Sequence, residues 1–287
     1  MKRIAALDGT MLHVEKTGHG TPVVFVHEFA GDHRSWEPQM RFFARSHRCV
    51  TFAARGYPPS DIPTDPNAYS QEIACGDVLA VMNALKIEKS HIVGHSMGAY
   101  TALHVGLDHP ERCLSVAALG CGWGSNPAER EESARACEEI ARMFQTEPME
   151  VAAANYANAP MRHTFRAKDP RGFAEFTRML AEHSGTGSAL TMLNIQLKRP
   201  TLCDLEKRLR GFAVPLLVIV GDEDFPCLDG SLFLKREAPT AGLLVIPRAG
   251  HTINSEEPAA VNSALAELFG AAEAGCWMYH RGSRGGA

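Results

Sequence analysis

The sequence predicts an α/β protein: a mostly parallel, twisted sheet with helices on both faces and a helical insertion in the second half of the chain. Three observations predict it. Six short runs, at 22–26, 49–53, 91–93, 114–119, 216–220 and 243–246, are apolar and rich in β-branched residues rather than alternating, as strands covered on both faces are. Helical periodicity separates these runs, and parallel neighbours need such crossovers. Between 122 and about 212 the alternation stops and only amphipathic helical pattern remains.

Each element has its own signal. Asp8-Gly9-Thr10 lies between the apolar runs 4–7 and 11–14, and Asp-Gly tolerates the positive φ of a tight hairpin turn. Ser70 is a helix cap ahead of Ile73, Val78, Val81, Met82 and Leu85, which recur at helical spacing. Helices are expected at 97–109, after the third apolar run, and at 256–269, after the last. Trp36 is expected in a first helix that follows the run 22–26. In the insertion, Asn126-Pro127 with Glu129 three residues after the cap is a helix start. Ala134, Cys137, Ala141 and Phe144 then share one face, and further helices are expected near 147–156, 172–183 and 188–197. The expected organisation is a core of 1–121 and 213–270, a helical lid of 122–212, and a frayed tail of 271–287.

Composition narrows the function. The chain has 287 residues, 45% hydrophobic and 22% charged, which is ordinary for a globular protein with one large core. A net charge of −4 and a pI near 6.4 offer no broad attraction to nucleic acid or anionic membrane, so a small-molecule substrate is expected. The N-terminus is too short in apolar residues for a secretory signal, and no stretch approaches the ~20 apolar residues of a membrane span. Eight cysteines are scattered without a CxxC pair, so neither a disulfide framework nor a zinc site is expected, and the reading is a reduced, cytoplasmic protein. Oligomeric state is not legible.

The chemistry enters at Gly94-His95-Ser96-Met97-Gly98, a G-x-S-x-G pattern placed directly between an apolar run and a helix. Such a strained strand-to-helix turn projects the serine above the sheet, and the flanking glycines let chain segments pass closely. The following helix turns its positive end and free N–H groups, that of Met97 included, toward charge forming at the serine. A serine hydroxyl needs a base, and thirteen histidines are available. His251 lies in a loop between the last apolar run and the final helix; His27, at the end of another run, competes with it. His33, His47, His109, His183 and His280 fall in polar or helix-end surroundings and read as solvated. The acid that orients the base should follow the run 216–220, where Asp222, Glu223 and Asp224 stand together.

The strand–GHSMG–helix unit, the His27 motif after an earlier strand, the mid-chain helical insertion and the late Gly250-His251 together resemble the α/β-hydrolase superfamily over nearly the whole chain. They are most similar to its lid-bearing esterase, lactonase and carbon–carbon hydrolase branch. The resemblance implies Ser96 as nucleophile, His251 as base and a structural role for His27. The family pattern G-x-x-D selects Asp224 over Asp222, with Glu223 last. It further implies that Phe29 and Met97 donate backbone N–H groups to an oxyanion. Glu28 departs from the family, which carries glycine there. Either its side chain turns aside into a hydrogen bond, or it borders the site and selects substrate or positions water. Arg55 resembles a family position that braces loops.

The resemblance implies hydrolysis of a small carboxylic ester through an acyl-enzyme, with no metal or organic cofactor. Lactone, thioester and carbon–carbon bond hydrolysis are alternatives, and so is a non-catalytic small-molecule receptor on the same fold. A carbon–carbon hydrolase would want a cation for a substrate carboxylate, and Arg162, Arg166, Lys168 and Arg178 are the candidates, although charged residues on such helices usually form a solvated face. Trp123, Met143, Phe144, Phe173, Phe176 and Met192 are candidates for an apolar pocket, although residues at this spacing more often form the lid's own core.

Overall fold

The computed structural model describes residues 2–277. Eight strands form one sheet: β1 (Lys2–Ala5), β2 (Met11–Thr17), β3 (Thr21–Val26), β4 (His47–Phe52), β5 (Ser90–His95), β6 (Cys113–Leu119), β7 (Leu216–Gly221) and β8 (Ala241–Ile246). Their order is β1-β2-β4-β3-β5-β6-β7-β8. The hairpin strands β1 and β2 join antiparallel, and every pair from β4 to β8 is parallel. Gly9, at φ 87°, makes the hairpin turn where Asp-Gly predicts it.

Alternate residues of each buried strand enter opposite faces. Val24 and Val26 of β3 join Val50, Ile92, Val116 and Val218 in one apolar cluster, while Val23 and Phe25 join Cys49, Val93, Ala117 and Ile219 in another. The helices of the core are α1 (Glu37–Phe43), α2 (Gln71–Ala84) and α3 (Met97–Asp108). Ser70 caps α2 by accepting from the Ile73 N–H at 3.1 Å. Trp36 lies one 3₁₀ turn ahead of α1, fully buried against Phe25. β8 departs from the expectation of burial on both faces: it is the sheet's edge, and Val245 is exposed.

Between β6 and β7 lie α4 (Arg130–Thr146), α5 (Met149–Ala157), α6 (His163–Lys168), α7 (Pro170–Ala181), α8 (Gly185–Thr191) and α9 (Glu206–Leu209). Asn126 accepts from the Ala128 N–H, and Pro127–Glu129 forms a 3₁₀ turn that leads into α4. The helix expected at 188–197 starts three residues earlier and ends in a π-helical turn, Met192–Gln196. A third apolar cluster joins this segment to the core: Phe29, Ala53, Tyr57 and Met97 meet Phe144, Phe165, Phe176 and Met192. Within the expected insertion, Leu202, Leu205, Leu209 and Phe212 pack with the sheet residues Val116 and Val218. The core closes with α10 (Phe225–Glu237), α11 (Ile253–Glu256) and α12 (Pro258–Glu273).

Two expectations at the C-terminus change. The last helix runs to Glu273, and Trp277 donates its indole N–H to the Thr240 carbonyl at 2.7 Å, so 271–277 is packed chain. Positions 278–287, with His280, lie outside the described residues. No helix among the described residues is long and apolar enough to cross a membrane. All eight cysteines are free thiols.

Candidate active site

Ser96 sits between β5 and α3 with φ 52° and ψ −110°, a conformation that an L-residue adopts only under constraint. The constraint is local. A Cβ at Gly94 would come 2.0 Å from the Gly98 carbonyl oxygen, and one at Gly98 would come 2.2 Å from the Val26 carbonyl oxygen. Only glycine at both positions lets β5, α3 and β3 approach this closely. The Ser96 N–H donates to the Leu119 carbonyl at 2.7 Å, which ties the turn to β6.

Three predicted side chains meet here. His251 Nε2 is 3.0 Å from Ser96 Oγ, and His251 Nδ1 is 2.8 Å from Asp224 Oδ2. Asp224 is fully buried and His251 nearly so, while Ser96 is half-buried. Asp222 instead accepts from the Ala249 N–H at 3.3 Å and braces the two loops, and Glu223 is exposed. Gly120, at φ +55°, was not singled out in the sequence: a Cβ there would come 3.3 Å from both Asp224 Oδ2 and His251 Nδ1. Cys227 Sγ lies 3.7 Å from His251 Nδ1, and burial holds its thiol protonated.

His27 is elsewhere engaged. Its Nε2 accepts from the Ala54 N–H at 3.0 Å, so Nδ1 carries the proton and donates to the Glu28 carbonyl at 2.7 Å. Burial pushes its pKa down to about 4, and the ring stays neutral. His95 likewise is held neutral by burial, and its Nε2 donates to the His251 carbonyl at 2.6 Å. The expectation of solvated histidines fails at His33 and His183. Both are buried, each with a ring nitrogen 3.6 Å from an Asp32 carboxylate oxygen. His47 is also largely covered.

The anomaly at Glu28 resolves into an ion pair. Glu28 is buried, and its Oε2 accepts from Arg162 Nη2 at 2.7 Å. The same Oε2 is 3.9 Å from His251 Nε2, so Glu28 borders the serine–histidine pair as well as being paired. Burial opposes its ionisation, yet the Arg162 guanidinium beside it outweighs that and holds its pKa at about 2. Arg162 is buried too, with its guanidinium over the rings of Tyr156 and Phe176. Its Nε and Nη1 have no protein hydrogen-bond partner. Of the four candidate cations only this one reaches the site: Arg166, Lys168 and Arg178 are exposed and paired with Asn158, Glu257 and Glu182. Arg55 braces loops, holding Asp77 with two bonds of 2.7 Å and also Asp8.

The remaining predictions divide. Met97 follows Ser96 and opens α3, where its N–H has no carbonyl one turn earlier to bond, and Phe29 shares an apolar cluster with it. The Phe29 ring packs on Phe144 at 5.6 Å and on Tyr156 at 5.2 Å. Phe144, Phe173, Phe176 and Met192 are buried in the same cluster, as the core of the helical segment. Trp123 instead lines a cavity of about 110 Å³ with Tyr100, Cys137 and Arg199, and the serine, histidine and aspartate are not among its walls. The His251 backbone N–H donates to the Met161 carbonyl at 2.8 Å, a link between its loop and the helical segment that no sequence signal announces.

A hydroxyl, an imidazole and a buried carboxylate in this order can generate a nucleophile and shuttle its proton. The chain belongs to the α/β-hydrolase fold family, whose model matches residues 21–258, and it is a hydrolase of that family. Its relatives narrow the class. It is 25% identical over 273 residues to a putative 2-succinyl-6-hydroxy-2,4-cyclohexadiene-1-carboxylate synthase of Bacillus subtilis, covering 93% of this chain and 97% of that one. It is 27% identical to 3-oxoadipate enol-lactonase 1 of Acinetobacter baylyi, covering 87% and 90%. Among solved structures, a thermophilic esterase of Thermogutta terrifontis superposes with a TM-score of 0.82 at 25% identity, covering 94% and 98%.

Proposed function

We propose that the protein is a serine hydrolase that cleaves small carboxylic esters through an acyl-enzyme. The observation that carries this reading is the unbroken chain from Ser96 Oγ to His251 at 3.0 Å and on to Asp224 at 2.8 Å. His251 takes the hydroxyl proton as Ser96 attacks the ester carbonyl, and Asp224 holds the tautomer and stabilises the imidazolium. The backbone N–H groups of Phe29 and Met97 receive the oxyanion, each such donor contributing about 3 kcal/mol in the transition state. His251 returns the proton to the leaving alkoxide. Water activated by the same imidazole then releases the acid and restores Ser96. The insertion from 122 to about 200 acts as a lid. The eight free thiols suit a reducing compartment, so we place the enzyme in the cytoplasm.

A second reading is favoured by one observation. Arg162 presents two unpartnered N–H groups in the buried site, which suits a substrate with another acceptor oxygen, as a lactone-derived or vinylogous diketo acid has. Glu28 already offsets its charge, so an ester with a neutral acceptor fits without a net buried charge.

Labelling by a fluorophosphonate and turnover of p-nitrophenyl acetate, both abolished in Ser96→Ala, test the proposal. A folded wild type that neither labels nor turns over, yet binds small esters, would make the fold a receptor. Faster turnover of a diketo acid than of any ester would favour the second reading.

A further inference from the structure

We propose that His47, His91 and Glu273 form a binding site for a zinc-like divalent cation at the end of the central strands opposite Ser96. His47 opens β4, His91 is the second residue of β5, and Glu273 ends α12. The two strands flank β3 in parallel. Ser96 follows the other end of β5, five residues or about 15 Å away, so the site is separate from the hydrolase chemistry.

The donor atoms already stand at coordination spacing. Glu273 Oε1 lies 3.2 Å from His91 Nε2 and 3.5 Å from His47 Nε2, and all three atoms fall within 4.8 Å of one another. A tetrahedral ion with bonds of about 2.0–2.1 Å sets neighbouring ligand atoms about 3.3 Å apart. The rings are oriented from behind. His91 Nδ1 is 2.7 Å from the Ser115 hydroxyl, and His47 Nδ1 is 2.9 Å from the Ser46 hydroxyl. A hydroxyl that accepts from Nδ1–H leaves the Nε2 lone pair free, the usual arrangement behind a metal-bound histidine. The His91 ring is also stacked on Phe269 at 4.2 Å, which fixes its plane.

The site opens on one side. His47 and Glu273 line an open cleft of about 500 Å³ with Phe42, Arg45, Ser46 and Gly270, and His91 is buried behind them; Arg45 is turned to the Phe42 carbonyl, at 3.0 Å. Glu273 stands at the negative end of the α12 dipole. A second cluster of the same composition lacks the backing. His13 and His33 approach Glu15 at 3.3 and 3.7 Å, but no hydroxyl backs His33 Nδ1, which stands 3.6 Å from Asp32 Oδ1 without a hydrogen bond. It serves as the internal control.

The test is calorimetric titration of Zn²⁺ into the metal-stripped full-length protein, paired with thermal melts. The wild type should bind one ion that raises Tm, because the ion staples α12 to two strands and binds only the folded state. His47→Gln and Glu273→Gln, each with a wild-type circular dichroism spectrum, should both weaken that site at least tenfold and abolish the Tm rise. His13→Ala should leave both unchanged. Absence of binding in the wild type, a loss in only one of the two variants or in neither, or a loss in His13→Ala would each overturn the proposal.

Discussion

At position 28 a carboxylate replaces the glycine of the resembled motif, and its partner, Arg162, lies 134 residues away in the chain. The G-x-S-x-G motif brought out Ser96, and the family resemblance chose His251 over His27, because both signals are local to a strand end. The Glu28–Arg162 pair has no local signal, and in the sequence Arg162 could not be told from the three arginines and lysines that prove solvated. The pair makes a stability prediction. Glu28 has a pKa of about 2 in the fold against an ordinary 4.5, so its contribution is complete above about pH 4.5 and is lost as pH falls toward 2. Glu28→Gln leaves Arg162 buried and unpaired, at a cost of about 3–5 kcal/mol at pH 7. Urea unfolding at a series of pH values should show the gap between wild type and variant narrowing below pH 4.5; a constant gap would refute the assignment. Asp224 and Asp222 make the second test. By analogy with serine proteases, Asp224→Asn should lower kcat about ten-thousandfold. Asp222→Asn should touch kcat little, since Asp222 only braces Ala249. Reversed effects on p-nitrophenyl acetate turnover would exchange their roles.

Among elements, the buried strands were legible to within a residue or two because their composition leaves no alternative to burial on both faces. Their register and order were not, since a uniformly apolar strand carries no mark of its neighbour; nothing in the residues of β4 announces its place between β2 and β3. Helix starts were legible where a side chain makes the cap. Ser70 holds the Ile73 N–H at 3.1 Å, so Ser70→Ala should cost about 1 kcal/mol and lower Tm by about 2–4 °C. The turn at Ser96 is less forgiving. At Gly98 an added Cβ meets the backbone oxygens of Val26 and His27 at 2.2 and 2.7 Å, neither of which can swing away as a side chain does. Gly98→Ala should therefore either fail to fold or displace α3 and its Met97 N–H. In the second case kcat falls while KM changes little, and steady-state kinetics on soluble variant would show it.

At the scale of the molecule, the helical insertion is attached where the chemistry is proposed to occur. Met161 accepts from the His251 backbone N–H, Arg162 pairs with Glu28, and Phe144 packs edge-on against Phe29. Helical periodicity revealed that the insertion exists, but not where it returns. Leu202, Leu205, Leu209 and Phe212 carry the same apolar signal as lid residues yet pack with the sheet. On the proposed reading, such attachment would make the insertion a determinant of substrate size. Phe144 is buried over the Phe29 ring, whose backbone is the proposed oxyanion donor, and on that proposal its volume limits the acyl group. Phe144→Leu removes part of that wall while keeping an apolar side chain of helical propensity. One methylene in a hydrophobic pocket shifts specificity by about 1–3 kcal/mol. The ratio of kcat/KM for p-nitrophenyl hexanoate over acetate should therefore rise at least tenfold in the variant, driven by the longer ester. An unchanged ratio, with wild-type stability, would mean that Phe144 only holds the lid's core together and that acyl size is set elsewhere.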